Sequence, residues 1–282
     1  MQPKALHNPE LVNGHGREGK RMNTPSAVTP QQEAAAQFLA AARKAGVPGG
    51  RLPEALRPAD LESSLVIQHQ IMGLLGAQIG GWKCSVPAEA RPILAAPIFA
   101  STIHRTSPCT IQATGNIARI EPEVAFIMGR DLPQRETPYT EAEIRSAIAE
   151  PRLVLELLGS RYIDPTAPSW PEMMADFVQN QGLFIGPTFA RGLDASLRKI
   201  AVTVSTKAGV LSTHDGHHGD GHPLNPLYWL ANFLANRGEG LRAGQIVTTG
   251  SYAGAIEVPI GQPLTVRYDE LGEIAVELQR AS

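Results

Sequence analysis

The sequence predicts an α+β fold, with a small helical N-terminal part followed by a β-rich body, a β-roll or sandwich with a few helices. Helical periodicity and capping signals are concentrated before residue 80. From Pro97 onward, short apolar runs are separated by Pro and Gly, which is typical of strands and turns. The chain lacks the strand–helix alternation of a doubly wound parallel sheet.

Two helices are predicted in the N-terminal part. The first runs from Gln31 to Lys44, because Thr29 to Gln32 form a capping box and Gly46 supplies a stop. The second runs from about Ala59 to Leu75. Its predicted inward residues include Leu61, Leu65 and Met72.

The β-rich body contains two further predicted helices and several strands. One helix is expected near Glu141 to Glu150, and another follows His222. That second helix has one apolar face, made of Leu227, Leu230, Ala231 and Leu234. Short strands are expected at 80–86 and 244–250, and the chain ends in a predicted hairpin that turns at 269–272. The inward residues of the hairpin are predicted to be Leu264, Val266, Tyr268, Ile274, Val276 and Leu278.

Length and composition limit the possible organisation and partners. The 282 residues divide into an expected disordered extension at 1–23, a helical region at 24–105 and a β-rich domain at 106–282. The net charge of −2 implies no nucleic-acid partner and no anionic membrane partner, and no apolar stretch is long enough to span a bilayer. Cys84 and Cys109 fit neither a disulfide framework nor a zinc motif, so a cytoplasmic protein is expected.

The most informative segment is a predicted strand at 117–128. Alternation gives it an apolar face made of Ala118, Ile120, Pro122, Val124, Phe126 and Met128. The opposite face carries Glu121 and Glu123, and Glu156 lies in a second apolar run at 152–158. Three carboxylates on two strands are a plausible cage for a hard divalent cation. Two alternatives remain: a solvated sheet face, and pairing of Glu156 with Arg119 or Arg161.

Three other polar groups are candidates for chemistry. Lys83, at the start of a strand, is either a surface group or a partly desolvated acid or base. The stretch at 213–222 contains His and Asp side chains that suggest zinc, but its glycines favour a flexible loop, with His222 orienting the next helix. Asp176 and Asn180 precede an apolar strand and are expected to cap a loop.

Several of these segments together resemble the 2-keto-4-pentenoate hydratase and 4-oxalocrotonate decarboxylase family of the fumarylacetoacetate hydrolase superfamily. The resemblance covers roughly residues 60–282. It rests on residues 81–83 (GWK), 119–126 (RIEPEVAF), 155–161 (LELLGSR), 222–232 (HPLNPLYWLAN) and 249–251 (TGS). The helix after His222 and the Glu-x-Glu strand are its most specific parts.

The resemblance implies a site and a reaction. Glu121, Glu123 and Glu156 would hold Mg²⁺ or Mn²⁺, and Lys83 would transfer a proton or polarise the substrate. The substrate would be a small 2-oxo acid or 2-hydroxydienoic acid, which a hydratase of the meta-cleavage catabolism of aromatic compounds converts to a 4-hydroxy-2-oxo acid. Further substrate contacts are expected from Arg161, Asn180 and Ser251, and the superfamily implies a homo-oligomer.

Other activities remain open at this point. The same metal motif would serve a 2-oxo-acid decarboxylase, and a hydrolase acting on acylpyruvates or fumarylacetoacetate is a further alternative. A catalytically silent protein that binds an oxo acid is also possible, because the chain departs from the family pattern. It lacks an evident loop resembling Asp-Phe-Gly, and it reads DFVQNQ at 176–181 where the family often has Asp-Asn-Ala-Ser.

Overall fold

The computed structural model describes residues 27–89, 91–190 and 192–281. The predicted extension at 1–23 lies outside these residues. The α-helices of the described part are α1 (Pro30–Ala45), α2 (Leu61–Leu75), α3 (Glu141–Ser146), α4 (Trp170–Ala175) and α5 (Leu224–Asn236). Short 3₁₀ turns lie at Glu54–Leu56, Ala100–Thr102, Phe177–Gln179 and Ala195–Arg198.

The strands form two sheets. Their bounds are β1 (Ile79–Ser85), β2 (Leu94–Phe99), β3 (Ile103–His104), β4 (Cys109–Ile111), β5 (Ile117–Met128), β6 (Ile148–Leu158), β7 (Asn180–Thr188), β8 (Lys199–Thr206), β9 (Gly209–His217), β10 (Ile246–Ser251), β11 (Ile256–Pro259), β12 (Pro263–Tyr268) and β13 (Gly272–Arg280). Among the described residues, the larger sheet has the order β2-β1-β10-β5-β6-β7-β3, with β11 also paired to β5. The smaller sheet has the order β4-β13-β12-β8-β9.

The main core lies between the two sheets and under α5. It contains Phe126 of the larger sheet, Val202 and Val266 of the smaller sheet, and Leu230 of the helix. The Tyr268 hydroxyl donates a 2.5 Å hydrogen bond to the Val154 carbonyl and so ties the sheets together. The predicted α+β class is confirmed.

The predicted helix α1 agrees closely with the structure. Thr29 and Gln32 form the capping box, and Gly46 ends the helix in the left-handed conformation, with φ 66°. Helix α2 begins at Leu61, and its most buried face was predicted incorrectly. That face carries Ser64, Ile67, Gln68 and Ile71 rather than the half-buried Leu61, Leu65 and Met72.

Polar side chains account for the shifted face of α2. The Ser64 hydroxyl donates to the Pro171 carbonyl at 2.8 Å, and the Gln68 amide donates to the Met174 carbonyl. These bonds provide partners for the buried side chains of Ser64 and Gln68 where α2 packs on α4, a helix that was not predicted. A pattern based only on hydrophobicity therefore places the buried face incorrectly.

Other predicted elements are confirmed or corrected as follows. The apolar face of α5 and the inward residues of the C-terminal hairpin are buried as predicted. Helix α3 is shorter than predicted because β6 begins at Ile148. The flexible loop predicted at 213–222 is wrong for its first half, because residues up to His217 belong to β9 and pair with β8.

The division between residues 105 and 106 stays a prediction, although strands from both sides of it share the larger sheet. Strand β1 pairs in parallel with β10, with Lys83 opposite Thr248.

Cys84 and Cys109 are both free and buried. Among the described helices, none is both long and apolar enough to cross a membrane.

Candidate metal centre

Three carboxylates converge on one face of the larger sheet. Glu121 and Glu156 are directly opposite each other in the antiparallel pairing of β5 and β6. Glu123 projects to the same face two residues later, and one oxygen from each side chain lies within 4.8 Å of the others. Glu123 is 2% exposed and Glu156 is 0% exposed, so the solvated-face interpretation is wrong for this pair of strands.

Hydrogen bonds fix the orientation of Glu123. Its Oε2 accepts from the Thr248 hydroxyl and, at 2.8 Å, from the Gly250 amide N–H. Both donors come from β10, which pairs with β5 and places Ser251 opposite Glu123. A carboxylate held through one oxygen can offer its other oxygen to a cation.

Glu156 is held in a similar way. Its Oε1 lies 2.6 Å from the Lys83 Nζ and accepts from the Asn180 amide at 2.9 Å. Its Oε2 is buried without a hydrogen-bond partner among the described residues. The alternative pairing with Arg119 or Arg161 is therefore wrong, because Lys83 takes that place. An unpartnered carboxylate oxygen in a buried site is costly unless a cation completes it.

The electrostatics of the three carboxylates also favour a cation. Burial, and then the charges of Glu156 and Glu121, raise the pKa of Glu123 to about 8. Burial and the neighbouring Glu156 also raise the pKa of Glu121, against the opposing effects of Lys83 and Arg119. Like charges at this spacing are destabilising, and a bound divalent ion reverses the sign of that interaction.

Lys83 is a buried member of this cluster, 7% exposed, rather than a surface group. It lies on β1, where the backbone at Gly81 passes so close to β10 that a methyl group there would overlap the Ile246 carbonyl. Its Nζ donates to the Val178 carbonyl at 3.1 Å as well as pairing with Glu156. Burial opposes the charged amine, but the nearby Glu156 and Glu121 raise the pKa of Lys83.

The Val178 carbonyl reaches Lys83 because of an unusual turn. Phe177, Val178 and Gln179 have φ values of 58°, 49° and 61°, in the left-handed region that non-glycine residues rarely occupy. The turn also brings the Gln179 side chain to Arg119, at 3.2 Å, and Asn180 to Glu156. Strain of this kind is found at functional sites, where the surrounding contacts enforce it.

Arg161 lies behind this turn and does not contact the three glutamates. Its Nε donates to both carboxylate oxygens of Asp176, at 3.0 and 2.7 Å, and its Nη2 donates to the carbonyls of Asp176 and Asn180. Arg43 contributes a second ion pair to Asp176 at 3.0 Å. Asp176 therefore anchors the turn through two arginines, beyond the simple loop cap that was predicted.

Ser251 lies at the edge of the site and is half-buried. Its hydroxyl lies 3.2 Å from the Pro122 carbonyl and accepts from the Ala253 amide at 3.1 Å. Sequence reasoning missed Thr248, Gly250 and Val178, which hold Glu123 and Lys83. Their contacts arise from strand pairing and from an unusual turn, and no local motif indicates them.

The His-rich stretch does not form a metal cluster. His214 and His217 lie on β9, whereas His218 is buried against the Tyr252 ring with centroids 5.3 Å apart. The Nδ1 of His222 accepts from the Leu224 amide at 3.2 Å, so this side chain contacts the start of α5 as expected. Within the described residues, the acidic, His and Cys side chains grouped closely enough to hold a metal are Glu121, Glu123 and Glu156.

Comparison with known proteins places this geometry in context. No family model matches the sequence. A 2-keto-4-pentenoate hydratase from Paraburkholderia xenovorans is 28% identical over 268 residues, covering 89% of this chain and 97% of the relative. A 4-oxalocrotonate decarboxylase from Pseudomonas putida is 34% identical over 121 residues, which is 43% of this chain and 46% of that protein.

A solved structure agrees with the fold over most of its length. It is 4-oxalocrotonate decarboxylase from Pseudomonas putida G7, complexed with magnesium and adipate. It superimposes with a TM-score of 0.72 at 21% sequence identity, covering 88% of this chain and 97% of that chain.

The protein thus has an α+β fold shared with the solved 4-oxalocrotonate decarboxylase from Pseudomonas putida G7 and with a fumarylpyruvate hydrolase from Pseudomonas aeruginosa. In sequence, the chain is similar to 2-keto-4-pentenoate hydratases and, over a shorter segment, to 4-oxalocrotonate decarboxylase. The resemblance indicated by the sequence motifs is confirmed.

Proposed function

We propose that this chain is a divalent-metal-dependent lyase that hydrates a 2-hydroxy-2,4-dienoate to a 4-hydroxy-2-oxo acid, a reaction of the meta-cleavage catabolism of aromatic compounds. One observation carries the proposal: the unpartnered Oε2 of Glu156 faces a buried cluster with Glu121 and Glu123, and its Oε1 pairs with Lys83. This arrangement combines carboxylate oxygens that suit a cation with a neighbouring group that can hold a proton.

The donor set fits Mg²⁺ or Mn²⁺. Both are hard ions that prefer oxygen ligands, and they keep coordination positions open for water or substrate. Glu121, Glu123 and Glu156 would hold the ion. When bound, the ion supplies Lewis-acid stabilisation of negative charge on the oxygen at C2 of a 2-oxo acid.

The residues around the cluster would orient the substrate and move a proton. Lys83 holds its proton at Nζ, between the Glu156 carboxylate and the Val178 carbonyl. In hydration, Lys83 would transfer a proton between Nζ and a carbon of the substrate, and water would add at C4. Because Lys83 is buried, bulk water competes poorly for that proton.

We propose hydration as the reaction of this site and decarboxylation as the main alternative. Relatives named 2-keto-4-pentenoate hydratase match nearly the whole chain, whereas the curated 4-oxalocrotonate decarboxylase matches less than half of it. Both reactions need negative charge to be stabilised at the same oxygen, so the carboxylate cluster serves either one. A C–C hydrolase and a catalytically silent oxo-acid-binding protein remain remoter alternatives.

We assign substrate contacts to Asn180 and Ser251. The Asn180 amide already contacts Glu156, and Ser251 lies opposite Glu123 at a half-buried position. Arg161 was first expected to bind substrate. Because its guanidinium is engaged by Asp176 and two carbonyls, we assign it to positioning the turn that carries Val178 and Asn180.

The test uses the ultraviolet absorbance of 2-hydroxypenta-2,4-dienoate with Mg²⁺ or Mn²⁺ present. We expect the wild-type protein to deplete the dienoate, and Glu123→Gln to stop this. Glu273→Gln, which changes an exposed glutamate of β13, is the matched control and should retain full activity. Release of CO₂ from 4-oxalocrotonate would identify the decarboxylase instead. If the wild type is inert toward dienoates, 4-oxalocrotonate and acylpyruvates, the enzyme proposal fails.

We further propose a cytoplasmic homo-oligomer. Three exposed apolar side chains, Val47, Ile117 and Ile163, line one cleft, and Ile163 is 75% exposed. Such a patch favours burial against another copy. The free thiols of Cys84 and Cys109 suit a reducing compartment. A monomeric sedimentation profile would contradict the oligomer.

A further inference from the structure

A second cleft lies away from the glutamate cluster, between the C-terminal ends of α1 and α2 and the β3 edge of the larger sheet. Its volume is about 780 Å³, within the range of small-molecule sites. Gln181 lines it on the sheet side, and its side chain donates to the Leu158 carbonyl at 2.7 Å.

The cleft has a strongly basic character. Its lining includes Arg43, Lys44, His104 and Arg161, and none of the described lining residues is Asp or Glu. The hydroxyl-bearing Ser101 adds a further polar group. This is unusual in a chain whose 27 acidic residues outnumber its 25 Lys and Arg residues. A cleft lined by one sign of charge concentrates ligands of the opposite sign.

Two of the cations, the buried Arg161 and the partly buried Arg43, share one carboxylate. Arg161 is 3% exposed and pairs with Asp176 at 2.7 Å, and Arg43 pairs with the same side chain at 3.0 Å. Two guanidinium groups facing one carboxylate leave one positive charge without an ion-pair partner among the described residues. Stacking of Arg43 on Phe177, 4.5 Å from the ring centroid, offsets this only in part.

The surroundings of Arg43 disfavour its positive charge. Burial, and then the neighbouring Arg161, lower the pKa of Arg43 to about 9 despite the presence of Asp176. The Nε of Arg43 is buried without a hydrogen-bond partner among the described residues. Both observations describe a cationic pair that a second anion would stabilise.

We propose that this cleft binds a small oxyanion, a phosphate or carboxylate group, at Arg43, with Lys44 at the rim and the buried charge of Arg161 adding to the attraction. Guanidinium groups bind both kinds of oxyanion through paired N–H donors. The glutamate cluster would repel the same ligand, and the segment from Asp176 to Asn180 lies between the two places. The site is therefore separate from the proposed metal centre.

The test is isothermal titration of the full-length protein with inorganic phosphate, and in a second arm with succinate. Each titration is run without added metal on the wild type and again on a Glu123→Gln protein, which alters the glutamate cluster and leaves the cleft unchanged. We expect saturable binding at one site per chain in both proteins. The arm with the tighter binding identifies the phosphate or the carboxylate ligand.

Three variants give the test its specificity. Lys44→Gln changes an exposed cation at the rim and should weaken binding about three- to fivefold. Arg43→Gln should remove detectable binding. Lys207→Gln changes an exposed lysine in the turn between β8 and β9, outside the lining, and should bind as the wild type does.

The outcomes separate this proposal from the proposed function. Saturable binding that weakens in Lys44→Gln but not in Lys207→Gln supports the site, whether or not the protein acts on a dienoate. No saturable binding of either anion overturns it. Equal affinity in the wild type and Lys44→Gln also overturns it, and that comparison stands even if Arg43→Gln fails to fold.

Discussion

The Nζ of Lys83 lies 2.6 Å from the Oε1 of Glu156, in a buried ion pair between two strands of the larger sheet. The second oxygen of the same carboxylate has no hydrogen-bond partner among the described residues. Glu156 therefore links the group proposed to carry a proton with the cluster proposed to hold a cation.

Replacement of Lys83 separates proton transfer from metal binding. Lys83→Met should lower turnover of the dienoate about 10²- to 10⁴-fold, the range expected for loss of a positioned acid or base. The affinity for Mn²⁺ should not weaken, because removing the amine leaves Glu156 free for the ion. Titration calorimetry and the absorbance assay measure these two quantities. Lys199→Met, at an exposed ion pair with Asp215, serves as the control.

A Lys83→Met protein that keeps wild-type turnover would remove Lys83 from the mechanism. Loss of Mn²⁺ binding in the same variant would instead make the lysine part of the metal site's structure.

The stability of the metal-free protein should depend on pH through Glu123. Its folded pKa of about 8 lies above the unfolded value of about 4.3. The folded state therefore binds more protons in this window, so the free energy of unfolding falls as pH rises through it. Urea unfolding with a chelator, at about pH 5 and about pH 8, measures the change.

Two comparisons check the origin of this pH dependence. Glu123→Gln should flatten the curve, because the amide does not titrate. Saturating Mn²⁺ should stabilise the protein more at the higher pH, since the ion binds the deprotonated carboxylates. Equal stability of the metal-free wild type across the window would contradict the predicted pKa shift.

The turn at Phe177–Gln179 should store strain at Val178. Its φ of 49° is unfavourable for a β-branched residue, at a cost of order 1–3 kcal/mol. Val178→Gly should stabilise the protein by about 1 kcal/mol, after allowing for the greater flexibility of unfolded glycine. Val178→Ala keeps a Cβ at the strained position and should not give this gain. Chemical denaturation measures both variants, and a destabilised glycine variant would argue against strain.

The buried pair of Arg161 and Asp176 should be needed for stability. Arg161→Met leaves Asp176 with Arg43 as its remaining ion-pair partner in the described residues and removes two bonds to backbone carbonyls. We expect a loss of about 3–5 kcal/mol, typical of breaking a buried pair. The exposed pair of Lys199 and Asp215 offers a control, since Lys199→Met should cost less than about 1 kcal/mol.

The sequence predicted the carboxylate pair of β5 because residues 118–124 alternate between the two faces of the strand. Period two sufficed to put Glu121 and Glu123 on one face, although Glu123 is as buried as the apolar residues around it. The partner of Glu156 was not predictable in this way. Lys83 reaches it only because β1 runs beside β10, a pairing between segments more than 160 residues apart.

Two features had no readable sequence signal. The left-handed turn uses Phe, Val and Gln, which give no indication of positive φ, and tertiary contacts of Asp176 enforce it. Strand β9 contains glycines and histidines that favoured a loop, yet pairing with β8 orders it. In both cases tertiary structure overrides local preference.

The central claim is that Glu121, Glu123 and Glu156 hold one divalent ion. Anomalous scattering from crystals soaked with Mn²⁺ and oxalate tests it most directly. The account predicts a strong peak within coordination distance of all three carboxylates, about 2.0–2.6 Å from their oxygens, with oxalate bound to the same ion. A saturated crystal with no peak among these side chains would contradict it.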